Sequence, residues 1–304
     1  MHIVVLGAGA LGAYFGARWA EAGAEVTFLV RDKRAAQIRK NGIRVNSTMG
    51  ETVMEQPDIA QRADDIDDVD LVFVSVKGYH LSEALPNLRK LAETGAYFLP
   101  VLNGMEHIPL LQRELGREKV LGGLAHIMAT LDDHGWVVHS GHFHVLTFGA
   151  LAPGQESVCK RLESLSETAN MDAVHSDAVV SEMWKKYMFI NAFAGITTAT
   201  NLPIGPVREY TPTFEIAEQL LKEMQQLANA YDVPLEEADV QVAKDRLLGL
   251  GKDATSSMHQ DRRKGLMLEV EHLHGGALRL AEEKGLKLPY TEAIYGLIKP
   301  FERP

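Results

Sequence analysis

The alternation of apolar and polar positions divides the chain into two parts. In the first part, short apolar runs alternate with helix-like segments and predict strands at residues 2–6, 25–30, 71–76 and 97–102. The last two runs are almost continuously apolar, which is typical of strands buried on both faces of a parallel sheet. Between residues 122 and 149 the segments alternate and contain turn signals, so we expect later, antiparallel strands that complete the same sheet.

From about residue 155 onward the β pattern disappears. Apolar positions now recur at helical spacing and predict helices over residues 156–170, 178–194, 212–231, 236–248 and 258–284. We therefore expect a domain boundary after residue 171, with an α/β domain at 1–171 and an all-helical domain at 172–304. A chain of 304 residues is long enough for two such domains, each with its own core.

The first predicted strand runs directly into a glycine-rich turn, and a helix-like apolar segment follows it. The turn is Gly7-Ala8-Gly9-Ala10-Leu11-Gly12. In a strand-turn-helix unit, the first glycine permits the tight turn, the second lets a pyrophosphate approach the backbone, and the third lets the helix pack on the strand. The N–H groups at the start of the helix then bind the phosphates. The alternative is a glycine-rich turn without a ligand, but the placement favours a Rossmann-type dinucleotide-binding domain.

The residue that follows the second predicted strand indicates which dinucleotide is bound. In a Rossmann unit, an acid about 20 residues beyond the glycine turn binds the ribose diol of NAD, whereas a base there binds the 2′-phosphate of NADP. Arg31 occupies this place and can bind a phosphate with two hydrogen bonds, so we predict NADP (NADPH). Asp32 follows it and leaves NAD as an alternative, and a surface ion pair is the purely structural one.

Charge and composition exclude several classes of function. A formal net charge of −10 argues against nucleic acid as a partner, because binding the phosphate backbone requires a positive face. The weakly charged stretch 187–207 contains asparagines and prolines and is a poor membrane span. A strand that begins at residue 2 leaves no signal peptide, and the single cysteine, Cys159, fits a reducing compartment. We expect a cytosolic protein with a small-molecule substrate, and its helical faces are compatible with a homodimer.

The histidines do not predict a metal site. A spacing of two, as between His142 and His144, suits one face of a strand, and His139 is also nearby in sequence. His272 and His274 have the same spacing but lie on a predicted helix, where they diverge by about 200°. No cysteine ligand and no His-Glu-x-x-His motif accompanies them.

Four further stretches, taken in order, resemble one protein family. They are Val74-Ser75-Val76-Lys77-Gly78-Tyr79, Leu102-Asn103-Gly104-Met105, Trp184-Lys185-Lys186, and Ser256-Ser257-Met258 with Asp261 and Glu269. Each stretch is short, but their ordered combination behind the glycine turn is similar to the ketopantoate reductase (2-dehydropantoate 2-reductase) family. The resemblance implies a Rossmann-type domain followed by a helical domain like the C-terminal domain of 6-phosphogluconate dehydrogenase. It also implies NADPH-dependent reduction of 2-dehydropantoate to pantoate in pantothenate and coenzyme A biosynthesis.

The resemblance assigns a role to each matching position. It implies that the glycine turn, from Gly7 through Ala8, Gly9, Ala10 and Leu11 to Gly12, holds the pyrophosphate and that Arg31 holds the 2′-phosphate. Lys77 and Asn103 would line the cofactor and substrate side. Lys186 would be the catalytic acid, Ser257 would help to bind the substrate carboxylate, and Glu269 would complete the catalytic site.

A lysine suits the reaction because hydride arrival at a ketone leaves negative charge on the oxygen, which a donor must stabilise or protonate. On a helix, Ile190 and Phe193 lie about 40° and 20° from Lys186, so the amine shares its face with apolar groups. Desolvation there would lower the pKa of Lys186 and ease proton transfer near neutral pH. The alternative is a lysine that extends its amine to solvent.

Two positions depart from the family pattern. The family places asparagines four and eight residues after its lysine, whereas this chain has Ile190 and Ala194. Asn191 lies about 140° around the helix from Lys186 and is a poor replacement. This leaves open a different 2-keto acid as substrate, and a non-catalytic NADP(H) sensor is the alternative of another class. The presence of both Lys186 and Glu269 argues against a sensor.

If Ser257 and Glu269 both belong to the site, the chain between them cannot be one straight helix. A continuous helix would separate Ser257 from Glu269 by about 18 Å, too far for both to touch one small substrate. We therefore predict a break around residues 262–265. Residues 257–260 resemble a capping box, which would place a helix N-terminus where a carboxylate can bind.

Overall fold

The computed structural model describes residues 1–303 and separates them into two compact units. One unit consists of residues 1–102 and 107–179, and the other of residues 103–106 with the chain from 180 onward. Among the described residues, no helix combines the length and the apolar character that crossing a membrane requires. The fold is of the predicted class, an α/β domain with a parallel sheet followed by a helical domain.

The strands all belong to the first unit and are numbered in chain order. They are β1 (His2–Leu6), β2 (Glu25–Leu29), β3 (Ile43–Ser47), β4 (Thr52–Met54), β5 (Asp58–Ala60), β6 (Leu71–Val74), β7 (Tyr97–Pro100), β8 (Gly122–Leu131), β9 (Val137–Gly149) and β10 (Asp172–His175). The helices of this unit are α1 (Ala10–Glu21), α2 (Asp32–Asn41), α3 (Leu81–Ala92), α4 (His107–Leu115) and α5 (Glu156–Ser166).

The first sheet is parallel, in the order β5-β2-β1-β6-β7. Its central strands β1 and β6 are buried along almost their whole length, which the continuous apolar run predicted for β6. Because parallel neighbours end at the same edge, the loops after β1, β2 and β6 emerge side by side. The backbone N–H of Gly7 donates to the carbonyl of Leu29 at 3.2 Å, and that of Ser75 to the carbonyl of Leu6 at 3.0 Å.

The prediction that the later strands complete this sheet is wrong. β8 and β9 pair antiparallel with each other, but β9 also pairs parallel with β3 and β10, and β4 pairs with β3. They form a second sheet, and α1 contacts strands of both sheets. The reason is non-local: β3 and β4, which the sequence did not indicate, provide the edge on which β9 pairs.

The strand β10 lies beyond residue 155, where the β pattern was expected to end. It pairs in parallel with residues 145–148 of β9. The first compact unit therefore continues through residue 179, past the position 171 at which the sequence placed the domain boundary.

The second unit is helical. Its helices are α6 (Val179–Thr200, whose first residue belongs to the first unit), α7 (Ile204–Glu209), α8 (Thr211–Ala230), α9 (Glu237–Gly249), α10 (Ser257–Arg263), α11 (Gly276–Glu283) and α12 (Pro289–Ile298). A π-helical segment, Glu271–Gly275, leads into α11. The predicted helix 258–284 is thus interrupted, and α7 and α12 were not predicted. Apolar residues of α6 and α8 form the centre of the core, among them Met188, Ala192, Leu220 and Met224.

Candidate functional site

The glycine turn has the geometry that each of its glycines was predicted to need. Gly7 has φ +95°, which side chains other than glycine rarely adopt. A Cβ on Gly12 would lie 2.1 Å from the carbonyl oxygen of Gly7, so this glycine is required for the close approach of α1 to β1. A Cβ on Gly9, in contrast, would meet nothing within 4 Å. The second glycine therefore borders open space, as a site for a pyrophosphate requires.

Two side chains to which the sequence assigned no role hold this turn in place. The Ser75 hydroxyl, just after β6, donates to the carbonyl of Gly7 at 2.8 Å. The Arg34 guanidinium, on α2, donates from Nε to the carbonyl of Ala8 at 2.7 Å and from Nη1 to the carbonyl of Gly135 at 2.9 Å. Partial burial lowers the pKa of Arg34. Arg34 is thus engaged with the backbone, and Arg31 is the more accessible of the two arginines.

Arg31 follows β2, at the residue that precedes α2, and its side chain is 73% exposed. Its guanidinium lies 3.0 Å from Nε2 of His80 and 3.2 Å from a carboxylate oxygen of Glu83. The purely structural alternative, a surface ion pair, is therefore present, but with Glu83 and not with Asp32. His80 is a second basic side chain beside Arg31, and the separation of 49 residues explains why the sequence did not reveal it.

Lys77 lies at the end of the extended segment after β6 and immediately precedes a short 3₁₀ turn, Gly78–His80. It is partly buried and belongs to the first unit, as do the glycine turn and Arg31.

Lys186, in the second unit, lies on α6 and has a perturbed acidity. Removal of its ammonium group from water lowers its pKa to about 8, from an ordinary value of 10.5. The negative charge of Glu269 opposes this effect, and the positive charge of Arg246 adds to it. The predicted direction of the shift is confirmed. A lysine with this pKa is still largely protonated at neutral pH and can release its proton easily.

Two hydrogen bonds connect the residue after Lys186 to the backbone of Glu269. The hydroxyl of Tyr187, the next residue after Lys186, donates to the carbonyl of Leu273 at 2.5 Å. The N–H of Leu273 in turn donates to the carbonyl of Glu269 at 2.9 Å. The side chain of Glu269 is only 4% exposed. The π-helical segment that begins at Glu271 thus fixes the glutamate with respect to the lysine, and π segments of this kind often occur at functional sites.

Arg246 is a member of this group that sequence reasoning missed. It lies on α9, 60 residues from Lys186, and its guanidinium carbon is 4.4 Å from the ring centroid of Phe189, one helical turn after Lys186. The residue is exposed, but desolvation by its neighbours lowers the pKa of Arg246. A second contact between the same two helices joins Lys185 to Asp239 at 3.1 Å. This ion pair gives Lys185 a structural role.

The predicted break between Ser257 and Glu269 is confirmed. α10 ends at Arg263, and Gly265 reverses the chain with φ +64°. The N–H of Leu266 donates to the carbonyl of Asp261 at 2.8 Å, and residues 266–269 are not helical.

The predicted cap at Ser257 is wrong, because Ser256 is the N-cap. The hydroxyl of Ser256 accepts a hydrogen bond from the N–H of His259 at 3.1 Å and lies 3.1 Å from the hydroxyl of Thr197 on α6. Ser257 is the first residue of α10 and is exposed. Both serines satisfy the preference for a hydroxyl at the N-cap, and the contact with Thr197 selects the first. α10 has only seven residues and its His259 N–H is already bonded, so its N-terminus is a weaker anion site than predicted.

Asn103 also belongs to the second unit, although it follows the strands of the first in sequence. Its loop is held by Glu106, whose carboxylate accepts two hydrogen bonds from Arg279 at 2.8 and 2.7 Å. Gly104 has φ +90°, and a Cβ there would lie 2.9 Å from the carbonyl oxygen of His272. The loop thus packs on the π-helical segment next to Glu269.

Ile190 and Ala194, the two positions that depart from the family pattern, also have apolar surroundings. Ile190 and Phe193 are partly buried and pack against the helical core, and Ala194 is 3% exposed. Asn191 is fully buried on another side of α6, so it does not replace the missing asparagines.

Three of the five histidines named as possible metal ligands have hydrogen-bonding contacts within the protein. His139 lies 2.7 Å from the Ser47 hydroxyl and 3.0 Å from the Phe143 carbonyl, and His144 lies 2.7 Å from the Tyr14 hydroxyl. His274 lies 3.0 Å from the carbonyl of Asn191.

Most of the chain matches the models of one protein family. Residues 3–153 match the family model described as Ketopantoate reductase PanE/ApbA, and residues 178–302 match the model of its C-terminal domain.

Individual relatives match over nearly their whole length. The chain is 31% identical to the uncharacterized oxidoreductase YkpB of Bacillus subtilis over 302 residues, 99% of each chain. It is 26% identical to the 2-dehydropantoate 2-reductase of Halobacterium salinarum over 304 residues, 100% of this chain and 99% of the relative. Among solved structures, that of 2-dehydropantoate 2-reductase from Geobacter metallireducens is 25% identical, with a TM-score of 0.91 over 99% of both chains.

Proposed function

The chain belongs to the ketopantoate reductase family of oxidoreductases, and we propose that it reduces 2-dehydropantoate to pantoate with NADPH, a step of pantothenate and coenzyme A biosynthesis. The observation on which the proposal mainly depends is the partly buried Lys186, whose pKa is lowered to about 8 by desolvation and on which the charge of the buried Glu269 acts. A relative named 2-dehydropantoate 2-reductase that matches the whole chain supports the choice of substrate.

The glycine turn fits the cofactor. Gly12 is packed so closely that a side chain would collide with Gly7, while Gly9 borders open space. Residues Gly7 to Gly12 would hold the pyrophosphate, and Lys77 would line the same side of the site. Arg31, together with His80, would bind the 2′-phosphate, with Glu83 giving up its ion pair to the phosphate. When bound, NADPH supplies the hydride for the keto carbon.

Lys186 would protonate the substrate oxygen. The keto oxygen gains negative charge as the carbon is reduced, and the Lys186 ammonium is a donor that can stabilise this charge and then transfer a proton. The product is a 2-hydroxy acid and a neutral lysine, which regains its proton from solvent. Glu269 would keep the lysine protonated before the reaction. Asn103 and Ser257 would provide further hydrogen bonds to the substrate.

A second candidate is a reductase of the same fold that acts on another 2-keto acid. Ile190 and Ala194 favour it, because they remove two amides that the family places near the lysine. The match to an oxidoreductase whose substrate is uncharacterized is compatible with either candidate. A non-catalytic NADP(H) sensor would not need the lowered pKa of the partly buried Lys186.

The test is the oxidation of NADPH, followed by absorbance of the nicotinamide, with 2-dehydropantoate and a panel of 2-keto acids. We expect turnover with 2-dehydropantoate. Turnover only with other members of the panel would support the second candidate. Tight binding of NADPH without oxidation by any keto acid would contradict both and favour a sensor.

A further inference from the structure

We propose that Arg246 binds the substrate carboxylate beside Lys186, and that the preferred substrate is a 2-keto acid with an apolar side chain. This inference rests on the proposed reductase function and identifies both a binding residue and a substrate class. Nothing in the motifs of the chain indicates Arg246, because it reaches the site only through the packing of two helices.

The placement follows from contacts of α9 with α6. Asp239 near the start of α9 pairs with Lys185, and Arg246, two turns later, lies over the ring of Phe189. Phe189 and Lys186 are three residues apart on α6 and are therefore neighbours on its surface. The guanidinium and the ammonium are close enough for the charge of Arg246 to influence Lys186.

A structural role at the end of α9 is already taken by another residue. Basic side chains in the last helical turn often bind the terminal carbonyls. At α9 these carbonyls accept hydrogen bonds from Arg208, which binds Leu247 at 3.3 Å, Leu250 at 2.8 Å and also Leu248. Arg246 is thus not the cap of α9, and its guanidinium lies over Phe189, on the side of α6 near Lys186.

Two positive groups side by side match the charge of a 2-keto acid. Its carboxylate and keto oxygen are attached to adjacent carbon atoms, so one donor for each must lie close together. A guanidinium can bind a carboxylate with two parallel hydrogen bonds, while the ammonium addresses the keto oxygen. Ser257 is the competing candidate for the carboxylate. Its neighbour Ser256 is bonded to Thr197, which is eleven residues, or about 16 Å of helix, beyond Lys186.

The remainder of this face of α6 indicates the side chain of the substrate. Ile190 and Phe193 lie within about 40° of Lys186 around the helix and are only partly buried. They offer no hydrogen bond to a substrate hydroxyl, and a polar group placed against them would lose its contact with water. An apolar substituent would instead pack on them.

The experiment compares three compounds that differ by one group each. The apolar acid 3,3-dimethyl-2-oxobutanoate differs from 2-dehydropantoate only by the absence of its hydroxyl, and its methyl ester lacks the charge. We expect the wild-type protein to have a higher kcat/KM for the apolar acid than for 2-dehydropantoate. Measurements at pH 6.5 keep Lys186 protonated in every variant, because its pKa is about 8.

The variant Arg246→Met should lower kcat/KM for the acid by about 10- to 100-fold and leave that for the ester within about twofold, since a hydrogen bond to a charged group is worth about 1.5–3 kcal/mol. Arg89→Met, which removes a surface arginine paired with Glu114, is the matched control and should change neither. Ser257→Ala should have less effect on the acid than Arg246→Met. Calorimetric titration with oxamate, a 2-keto acid isostere that accepts no hydride, gives a readout without turnover. Its Kd should rise more in Arg246→Met than in Ser257→Ala and should stay unchanged in Arg89→Met.

The inference fails if Arg246→Met reduces activity on acid and ester equally, or if oxamate binds as well to this variant as to wild type. The preference for an apolar substrate is contradicted if wild type has a kcat/KM for 2-dehydropantoate that equals or exceeds that for the apolar acid. Absence of any keto acid reduction by wild type, with oxamate binding still dependent on Arg246, would instead contradict the proposed reaction. A loss of folding in Arg246→Met is recognised by its thermal unfolding, and Arg246→Lys, which keeps the charge but not the paired donors, then provides the same comparison.

Discussion

The carboxylate of Glu269 opposes the effect that burial has on the ammonium group of Lys186. Burial alone would lower the pKa of the lysine further, and the negative charge of Glu269 brings it back to about 8. Arg246 has the contrary effect, since its positive charge disfavours a second one nearby. The pKa of the proposed acid therefore depends on two side chains, Glu269 and Arg246, that are far from Lys186 in the sequence.

This relationship predicts the pH dependence of two variants. The charged lysine is the acid, so kcat/KM should fall as pH rises through about 8. Glu269→Gln removes a charge that raises the pKa of Lys186, so the decline of kcat/KM should move to lower pH. Arg246→Met removes a charge that lowers this pKa, so the decline should move to higher pH. Shifts in the same direction for both variants would show that these charges do not act on the acid.

The glycine turn provides a matched pair of substitutions. In Gly9→Ala the new methyl group meets no atom within 4 Å, so the free energy of unfolding without cofactor should change by less than about 0.5 kcal/mol. NADPH affinity should nevertheless fall at least tenfold, because the methyl group occupies the space of the pyrophosphate. In Gly12→Ala the methyl group lies 2.1 Å from the Gly7 carbonyl oxygen, and unfolding should be easier by about 1–3 kcal/mol. Denaturant unfolding and NADPH fluorescence titration measure the two effects. A normal NADPH affinity in Gly9→Ala would place the pyrophosphate elsewhere.

The role of Arg31 is tested by the difference between two cofactors. Arg31→Ala should weaken NADPH binding by about tenfold or more and leave NADH binding nearly unchanged, because only NADPH has the 2′-phosphate. Glu83→Gln removes the carboxylate that pairs with Arg31 and should tighten NADPH binding slightly. Equal loss of both cofactors in Arg31→Ala, measured by fluorescence titration, would contradict the phosphate role.

His274 predicts a sensitivity of the fold to acid. Its side chain is fully buried, and desolvation lowers its pKa to about 4, from an ordinary value of 6.5. Between these two pH values the unfolded chain binds a proton that the folded chain does not, so stability should decline as pH falls through this range. The loss attributable to His274 is up to about 3 kcal/mol.

The variant His274→Gln keeps a donor for the Asn191 carbonyl and removes the titration. Urea unfolding at pH 7 and pH 4.5 should show a smaller difference for this variant than for wild type. The exposed His134→Gln is the control and should retain the difference of wild type. An unchanged difference in His274→Gln would assign the acid sensitivity to other groups.

The features that the sequence predicted depend on residues close together along the chain. The glycine turn, the strand before it and Arg31 after β2 are local, and Gly265 marks the chain reversal that separates Ser257 from Glu269. The pKa of Lys186 was predictable in direction because Ile190 and Phe193 lie on the same helical face, and this too is a local property.

The features that escaped prediction depend on contacts between distant segments. The second sheet requires β9 to pair with β3, whose short strand has no strong pattern of its own. The choice of Ser256 over Ser257 as the cap depends on Thr197, 59 residues earlier. Arg246 has an ordinary position near the end of an amphipathic helix, and only the packing of α9 on Phe189 brings it to Lys186.

The most direct test of the central claim, that Lys186 is the acid of a keto acid reductase, compares it with its neighbour. Lys186→Met and Lys185→Met remove the same charge at adjacent positions, but Lys185 pairs with Asp239 and has no proposed role in the reaction. For the best keto acid of the panel, kcat should fall by about 10²- to 10⁴-fold in Lys186→Met and stay within about threefold in Lys185→Met, with the Kd of NADPH unchanged in both. Similar losses of kcat in the two variants, or a parallel loss of NADPH binding in Lys186→Met, would contradict the account.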